Sequence, residues 1–195
     1  MDKNEVIAFF DRCAPSWDAE QVDHSAAIEE ILDNAGVARG QSVMDVACGT
    51  GILFPFYLER GVDRVTGIDI SPEMVRLARE KFAGEERIQV LCGDVEEAAF
   101  EEKFDRVVLH NAFPHFPDPD RLIGQLASFL RPGGVLTIAH SMSREQINEH
   151  HKGSAAHVSC GLMPAGELAA RMGKHLTVTT VISDDMMYQV VGVKE

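Results

Sequence analysis

Apolar residues along the chain repeat with two alternating periods. Spacings of three and four residues, typical of a helix with one buried face, predict helices at 4–13, 24–35, 52–60, 72–83 and 119–130. Short runs rich in β-branched residues separate these segments and predict strands. Such alternation implies right-handed crossovers and a parallel sheet that is covered by helices on both faces.

The C-terminal part of the chain departs from this alternation. Its pattern predicts a helix at 165–173 and two strands at 175–182 and 187–193, joined by the polar residues 183–185. The 195 residues suffice for one substantial core and are too few for two, so we expect a single domain over 1–195.

A glycine turn at 43–51, Val-Met-Asp-Val-Ala-Cys-Gly-Thr-Gly, follows directly on a buried strand. Glycines let the backbone turn tightly and approach a ligand closely, and the following helix can direct free N–H groups at it. This arrangement is typical of nucleotide-binding proteins. Asp45 at the strand's end would repel a phosphate, so we expect the ligand to be a cation or a hydrogen-bond donor rather than a pyrophosphate.

A second carboxylate refines this prediction. Asp69 lies near the end of the predicted strand 62–70, eighteen positions after Gly51, which is the spacing expected of an acid that binds a ribose. A dinucleotide-binding turn would place its third glycine at position 54, where this chain has Phe54. An NAD site is therefore disfavoured. The spacing of the acid alone, however, still permits either a dinucleotide or another ligand that contains a ribose.

The order of the motifs resembles that of the class I S-adenosylmethionine-dependent methyltransferases. Residues 9–18 are also similar to the lid segment of the ubiquinone and menaquinone biosynthesis branch of that family. The resemblance implies a Rossmann-like, doubly wound α/β fold with a mostly parallel seven-stranded sheet and an antiparallel C-terminal hairpin. Five motifs carry it: Asp45-Val-Ala-Cys-Gly49-Thr-Gly51, Gly67-Ile-Asp69-Ile-Ser-Pro-Glu-Met74, Val90-Leu-Cys-Gly-Asp94-Val95, Phe104-Asp-Arg-Val-Val-Leu109, and the helix-to-strand turn Leu130-Arg-Pro-Gly-Gly-Val-Leu136.

The resemblance also implies a cofactor and a reaction. S-adenosylmethionine would donate a methyl group to an oxygen, sulfur or carbon atom of a small molecule and leave as S-adenosylhomocysteine. In the family, acids at the positions of Asp69 and Asp94 hold the ribose hydroxyls and the adenine amino group. The residues expected to bind the cofactor are Asp45, Ala47, Gly49, Thr50, Gly51, Asp69, Ile70, Met74, Asp94, Val95, His110 and Asn111.

Three histidines are candidate catalytic residues. His110, His115 and His140 follow the fourth and fifth predicted strands, so they should meet at the carboxyl edge of the sheet, where such folds bind ligands. Neutral histidine, with an ordinary pKa of about 6.5, is suited to deprotonate a phenol, enol or thiol. We expect His110 or His140 to be the base, with Asn111 orienting the methionine part of the cofactor.

A histidine-rich segment, 141–163, leaves a metal site open as an alternative. Imidazole and thiolate groups bind Zn²⁺ and related metals or metalloids, and the candidate ligands are His110, His115, His140, His157 and Cys160. The favoured interpretation is a solvated lid without metal. A further alternative is a protein that binds the cofactor and a metal without catalysis.

Composition and charge narrow the range of partners. The formal net charge of −13 repels polyanions, so we expect a small-molecule substrate and no nucleic acid. The N-terminus carries no signal-peptide pattern and the apolar runs are short, which predicts a cytoplasmic protein without membrane insertion. The four cysteines are expected to be reduced thiols. Residues 1–20 are expected to form an N-terminal lid, and the protein to be a monomer or a homodimer.

Overall fold

The computed structural model describes residues 1–153 and 155–195, and these form a seven-stranded sheet between two layers of helices. The helices are α1 (Lys3–Cys13), α2 (Ser25–Asn34), α3 (Phe54–Glu59), α4 (Pro72–Lys81), α5 (Pro119–Phe129), α6 (Arg144–His150) and α7 (Ala165–Met172). The strands are β1 (Ser42–Val46), β2 (Arg64–Asp69), β3 (Ile88–Cys92), β4 (Phe104–His110), β5 (Leu130–His140), β6 (Thr177–Ser183) and β7 (Tyr188–Val193).

The strand order is β3-β2-β1-β4-β5-β7-β6. Strands β1 to β5 pair in parallel, whereas β7 runs antiparallel to both β5 and β6. This arrangement confirms the predicted fold, including the C-terminal hairpin. Because the chain leaves β1 towards β2 on one side and later returns to place β4 on the other, a crevice opens beyond the carboxyl ends of β1 and β4.

The alternation of side chains along the strands explains the two cores. Val43 and Val65 pack with α2, α3 and α4 on one face of the sheet, whereas Met44 and Val46 pack with α5 and α7 on the other. All four side chains are buried. A period of two thus supplies apolar residues to both faces, as expected for a parallel sheet between helices.

Helix starts in the chain follow local capping rules. Ser71 caps α4, where its hydroxyl accepts a hydrogen bond from the Met74 N–H at 3.2 Å and Pro72 stands in the first turn. Ser143 and Gln146 form a reciprocal capping box at the start of α6. These side chains satisfy N–H groups that have no partner within the helix, which fixes where each helix begins.

The turn predicted before the fifth strand is a bulge within β5. Strand β5 begins at Leu130, opposite Phe104, and its register shifts before Val135 pairs with Arg106. Gly133 lies in this bulge with a φ of +76°, a conformation that glycine adopts at little cost. The Pro-Gly-Gly sequence therefore interrupts the pairing without ending the strand.

Gly67 of β2 provides the space on which the glycine turn packs. A Cβ at this position would lie 2.7 Å from Cζ of Phe54 and 2.9 Å from Sγ of Cys48. Phe54 thus fills the volume above the turn at the place where a dinucleotide-binding turn has a glycine. The close packing of this aromatic ring accounts for Phe54 in the sequence.

Replacing Gly67 with alanine is expected to lower the free energy of unfolding by about 1–3 kcal/mol, because the added methyl group overpacks a filled site. Gly166→Ala is the matched control, since a Cβ at Gly166 meets no atom within 4 Å. Urea denaturation of both variants measures the effect. Equal stabilities of Gly67→Ala and the wild type would show that the turn can move away from β2.

Candidate functional site

A cavity of about 480 Å³ lies beyond the carboxyl ends of β1 to β4, beneath helix α1. This volume is within the range of small-molecule sites, which is roughly 300–1,000 Å³. Two residues at its wall, Ala47 after β1 and Asn111 after β4, have positive φ values of 53° and 55°. Strained backbone of this kind concentrates at functional sites.

Most of the predicted cofactor-binding residues line this cavity, although they come from four separate loops. Asp45, Thr50 and Gly51 do not reach its wall. The residues that do are Ala47, Gly49, Asp69, Ile70, Met74, Asp94, Val95, His110 and Asn111.

Asp69 joins two of these loops. Its carboxylate accepts hydrogen bonds from the N–H of Gly49 at 2.8 Å and from the N–H of Ser71 at 2.9 Å. The side chain lines the cavity although the residue is only 8 % exposed. Burial raises the pKa of this carboxyl, and the bonds from Ser71 and Gly49 oppose the shift. The acid is therefore held in a fixed orientation between the glycine turn and the start of α4.

Asp45 lies behind the turn instead of facing the cavity. It is fully buried, and its Oδ2 has no hydrogen-bond partner among the described residues. Burial raises its pKa well above the ordinary value, and the charge of Asp69 adds to the effect. Burial raises the pKa values of Cys48 and of Tyr57 in α3 well above their ordinary values, and the nearby charge of Asp45 adds to both shifts.

Thr50 and Gly51 are also turned away from the cavity. The Thr50 hydroxyl donates a 2.5 Å hydrogen bond to Asp18 of the N-terminal segment. Gly51 has a φ of +81°, and a Cβ there would lie 2.6 Å from the ring of Phe54. The second glycine of the motif therefore serves the packing of α3.

The N-terminal segment sends a charged side chain to each loop that follows β1, β2 and β3. Asp18 binds Thr50 after β1, and Asp11 accepts from the Ser71 hydroxyl after β2 at 2.5 Å. Lys3 pairs with Asp94 after β3. We call Lys3, Asp11 and Asp18 the latch residues; Asp11 and Asp18 lie in the segment 9–18 that resembles a lid, but that resemblance assigned no partner to either side chain.

The asparagine expected to orient the cofactor is engaged by a strand end. Asn111 donates from Nδ2 to the Ser141 hydroxyl at 3.1 Å and accepts from the Ser141 N–H at 3.0 Å. This reciprocal pair ties the end of β4 to the end of β5. The side chain thus stabilises the wall of the cavity, of which Asn111 is part.

Histidines form another part of the wall, which we call the histidine wall and define as His110, His115, His150 and His151. Burial lowers the pKa of His110 to about 4 and that of His151 to about 4, and it also lowers the pKa of His115. These three imidazoles are therefore neutral at pH 7. A neutral ring can accept a proton, which is the property needed in a base.

His140 stands behind the histidine wall and does not line the cavity. It is 0 % exposed, and its ring meets Tyr188 edge-on with the centroids 6.0 Å apart. Neither ring nitrogen has a hydrogen-bond partner among the described residues, and burial lowers its pKa well below the ordinary value. Its complete burial at the end of β5 keeps it away from any ligand in the cavity.

The structure does not bring the alternative metal ligands together. His157 packs edge-on against Phe9 with the ring centroids 5.8 Å apart, and Cys160 is exposed; neither lines the cavity. Among residues 1–153 and 155–195, no three His, Cys, Asp or Glu side chains are grouped so that they could hold a metal ion. The four cysteines are free thiols, as expected.

The length and hydropathy of a helix decide whether it could span a membrane. In the described part of the chain, no helix is both long and apolar enough to span a bilayer.

Comparisons with known proteins find a methyltransferase domain in the part of the chain that forms most of the cavity wall. A methyltransferase-domain family matches residues 43–134. The malonyl-[acyl-carrier protein] O-methyltransferase of Acetivibrio thermocellus is 34 % identical over 143 residues, which are 71 % of this chain and 50 % of that protein. The ubiquinone biosynthesis O-methyltransferase of Bordetella avium is 31 % identical over 143 residues, covering 69 % and 59 %. The chain thus spans about half the length of the curated relatives it matches.

Solved structures share the fold at lower identity. A methyltransferase-like protein of Haloferax volcanii, solved with the Trm112 methyltransferase activator, has a TM-score of 0.78 at 22 % identity and covers 95 % of this chain and 97 % of its own. The magnesium protoporphyrin IX methyltransferase of Synechocystis PCC 6803, solved with bound S-adenosylhomocysteine, has a TM-score of 0.75 at 18 % identity and covers both chains fully (100 % each). Sequence and fold together confirm the resemblance: the chain carries a methyltransferase domain, and its fold is that of the S-adenosylmethionine-dependent methyltransferases.

Proposed function

We propose that the protein binds S-adenosylmethionine in the cavity beneath α1 and transfers its methyl group to a small-molecule acceptor. The observation that carries this proposal is the convergence of nine predicted residues, from the loops after four strands, on one cavity. Asp69 ends β2, Asp94 follows the adjacent strand β3, and both line the cavity, so two carboxylates are available where a nucleoside would lie. The relatives named as methyltransferases support the same activity.

The residues present fit this cofactor. Asp69 and Asp94 provide acceptors for the ribose hydroxyls and the adenine amino group. The backbone at Gly49 is open, since the atom nearest to a Cβ there is Nε1 of Trp17 at 3.8 Å, so a ligand can approach it closely. Bound there, the cofactor would supply a methyl group on a positively charged sulfur. Asp45, Thr50 and Gly51 would act indirectly, by holding the turn.

We expect the methyl acceptor to bind beside the histidine wall. Phe10, Phe116 and Met142 line the cavity beside these imidazoles, so the space is largely apolar and contains proton acceptors. Such a site suits a neutral acceptor that must lose a proton before or during methyl transfer. Because His140 does not line the cavity, we propose that His110 or His115 assists the reaction.

Asp69→Asn is expected to weaken the binding of S-adenosylhomocysteine roughly 10- to 100-fold, because hydrogen bonds to a charged group contribute about 1.5–3 kcal/mol. Calorimetric titration measures the affinity. The control is Asp63→Asn, an exposed acid just before the same strand, which should leave the affinity as in the wild type. Similar affinities for Asp69→Asn and the wild type would remove Asp69 from the site.

Incubation with methyl-labelled S-adenosylmethionine and a panel of hydroxyl, thiol and amine acceptors should label a product. Tight binding without any labelled product across the panel would favour the non-catalytic, cofactor-binding alternative.

We further propose that residues 1–20 form a lid over the cofactor. The latch residues support this proposal, because each of them bonds to a different cofactor loop. The Asp11 carboxylate accepts from the Ser71 hydroxyl and from the Glu73 N–H at 3.2 Å, and Ser71 itself is buried. Release of the three latch residues would uncover the cavity, which Phe9, Phe10 and Trp17 of the segment also line.

Asp11→Ala is expected to let α1 open roughly 10- to 100-fold more often, because two hydrogen bonds to a charged acceptor are lost. Hydrogen exchange of the α1 amides measures this opening. Asp23→Ala is the control, since its carboxylate accepts from Ser25, two residues further along the chain. If α1 exchanges at the wild-type rate in Asp11→Ala, the segment is held by its apolar contacts and the latch has no role.

A further inference from the structure

We propose that His115 is the base of the reaction and that its acceptor is a small uncharged molecule with an O–H or S–H group. The inference rests on the proposed methyltransferase function and adds to it the identity of the base and the chemical class of the acceptor. Three observations carry it: a hydrogen bond that fixes the tautomer of His115, the packing that fixes its ring, and the distribution of charge around the cavity.

A backbone carbonyl sets the tautomer of His115. Nδ1 of its ring lies 2.6 Å from the carbonyl oxygen of Val158. A carbonyl oxygen can only accept, so Nδ1 must carry the proton, and in a neutral ring Nε2 then carries the lone pair. Since the ring lines the cavity, a lone pair of a neutral imidazole is available at its wall.

Packing holds the ring of His115 in place. The ring of Phe10 meets it edge-on with the centroids 5.0 Å apart, and the ring of His151 does so at 5.1 Å. His115 lies in the short turn Phe113–His115, and the Cys160 N–H donates to the carbonyl of neighbouring Pro114 at 2.8 Å. Two hydrogen bonds thus join this turn to the segment around Val158. A base that is already oriented saves the cost of ordering it during the reaction.

Three other histidines, His110, His140 and His151, lack one or more of these properties. His140 does not line the cavity. Nε2 of His110 is buried without a hydrogen-bond partner among the described residues, so no bond to that atom sets its tautomer. Nδ1 of His151 lies 2.9 Å from the Ser159 hydroxyl, which can donate or accept and therefore permits both tautomers.

The charged side chains of the cavity wall belong to the N-terminal segment, to the end of β2 and to the loop after β3, whereas the loop after β4 that carries His115 contributes none. Lys3 is the single lysine or arginine among the described residues that line the cavity, and it pairs with Asp94 and Glu97. The acids of the wall, including Asp69, follow β2 and β3, whereas His115 follows β4 on the far side of β1. A carboxylate, phosphate or ammonium acceptor beside His115 would have no counter-charge, and burying it unpaired would be costly.

The proposed reaction moves one proton from the acceptor to His115 and one methyl group from the cofactor to the acceptor. Nε2 of His115 takes the proton of the acceptor, and the electron pair of the broken O–H or S–H bond stays on the oxygen or sulfur. That atom bonds to the methyl carbon, and the pair of the broken carbon–sulfur bond stays on the departing sulfur. The proton leaves the imidazolium for water and restores the neutral ring.

The tautomer can be tested without any acceptor. Long-range ¹H–¹⁵N correlation spectra at pH 7 should show His115 protonated at Nδ1 and unprotonated at Nε2. Its signal is assigned by its loss in His115→Asn. Protonation at Nε2 instead would overturn the proposal, because that atom could then not accept the proton.

The role as base is tested with two phenols. Phenol, with a pKa of about 10 as in tyrosine, stays protonated at pH 8, whereas 4-nitrophenol is then largely ionised and needs no base. In His115→Asn the amide Nδ2 can still donate to Val158, so the structural bond is kept and the base is lost. At saturating acceptor we expect kcat for phenol to fall about 10²- to 10⁴-fold and kcat for 4-nitrophenol to fall by a much smaller factor, although the charged 4-nitrophenolate should have the higher KM in both proteins.

His175→Asn is the matched control, because His175 does not line the cavity; it should keep the wild-type rates. Should His115→Asn not fold, His115→Ala with added imidazole replaces it, and imidazole should restore the rate with phenol. Equal losses for both phenols, or no loss, would show that His115 is not the base. If the wild type binds S-adenosylhomocysteine yet methylates neither phenol, this acceptor class is wrong while the cofactor site stands; absence of binding would refute the proposed function itself.

Discussion

The site depends on the carboxylate of Asp69. Its two hydrogen bonds, from the N–H groups of Gly49 and Ser71, join the turn after β1 to the start of α4 after β2. This buried acid therefore holds both loops in place at the cavity, together with the backbone hydrogen bond from the Cys48 N–H to the Ile68 carbonyl. The same carboxylate lines the cavity, so the group that organises the loops is also positioned to bind a ligand. A change at Asp69 would therefore disturb the shape of the site and its chemistry together.

The two ends of the cavity differ in chemical environment: one is suited to binding the cofactor and the other to deprotonating the methyl acceptor. The end after β2 and β3 is acidic and closed by the latch residues, which suits a nucleoside with a cationic sulfur. The end after β4 is apolar and lined by imidazoles that burial keeps neutral at pH 7. Desolvation thus keeps these imidazoles neutral, and it also makes them weaker bases than an exposed histidine. The strand order places these ends on opposite sides of β1, so the fold itself sets their separation.

Periodicity predicted most of the fold because the sheet is buried on both faces and the helices each have one buried side. Helix α4 was placed within two residues at its end, since Ser71 and Pro72 mark its start by rules that act locally. The bulge in β5 was predicted as a turn because Pro-Gly-Gly is locally typical of turns, and only the pairing with β4 keeps it in the sheet.

The site was harder to predict because motif order places residues near a ligand without giving the direction of each side chain. Asp45 and Asp69 both lie at or near the end of a strand, yet Asp45 is buried away from the cavity and Asp69 lines it. The latch residues were missed because contacts between residues as distant in sequence as Asp11 and Ser71 leave no local pattern. The tautomer of His115 depends on the carbonyl of Val158, 43 positions away, and such a bond can be seen only in the folded chain.

A crystal structure of the protein with S-adenosylhomocysteine tests the central claim most directly. The account predicts density in the cavity beneath α1, with the ribose hydroxyls within hydrogen-bond distance of the Asp69 carboxylate and the thioether sulfur directed towards the histidine wall. Density for the ligand elsewhere on the protein, or a ribose without contact to Asp69, would contradict it.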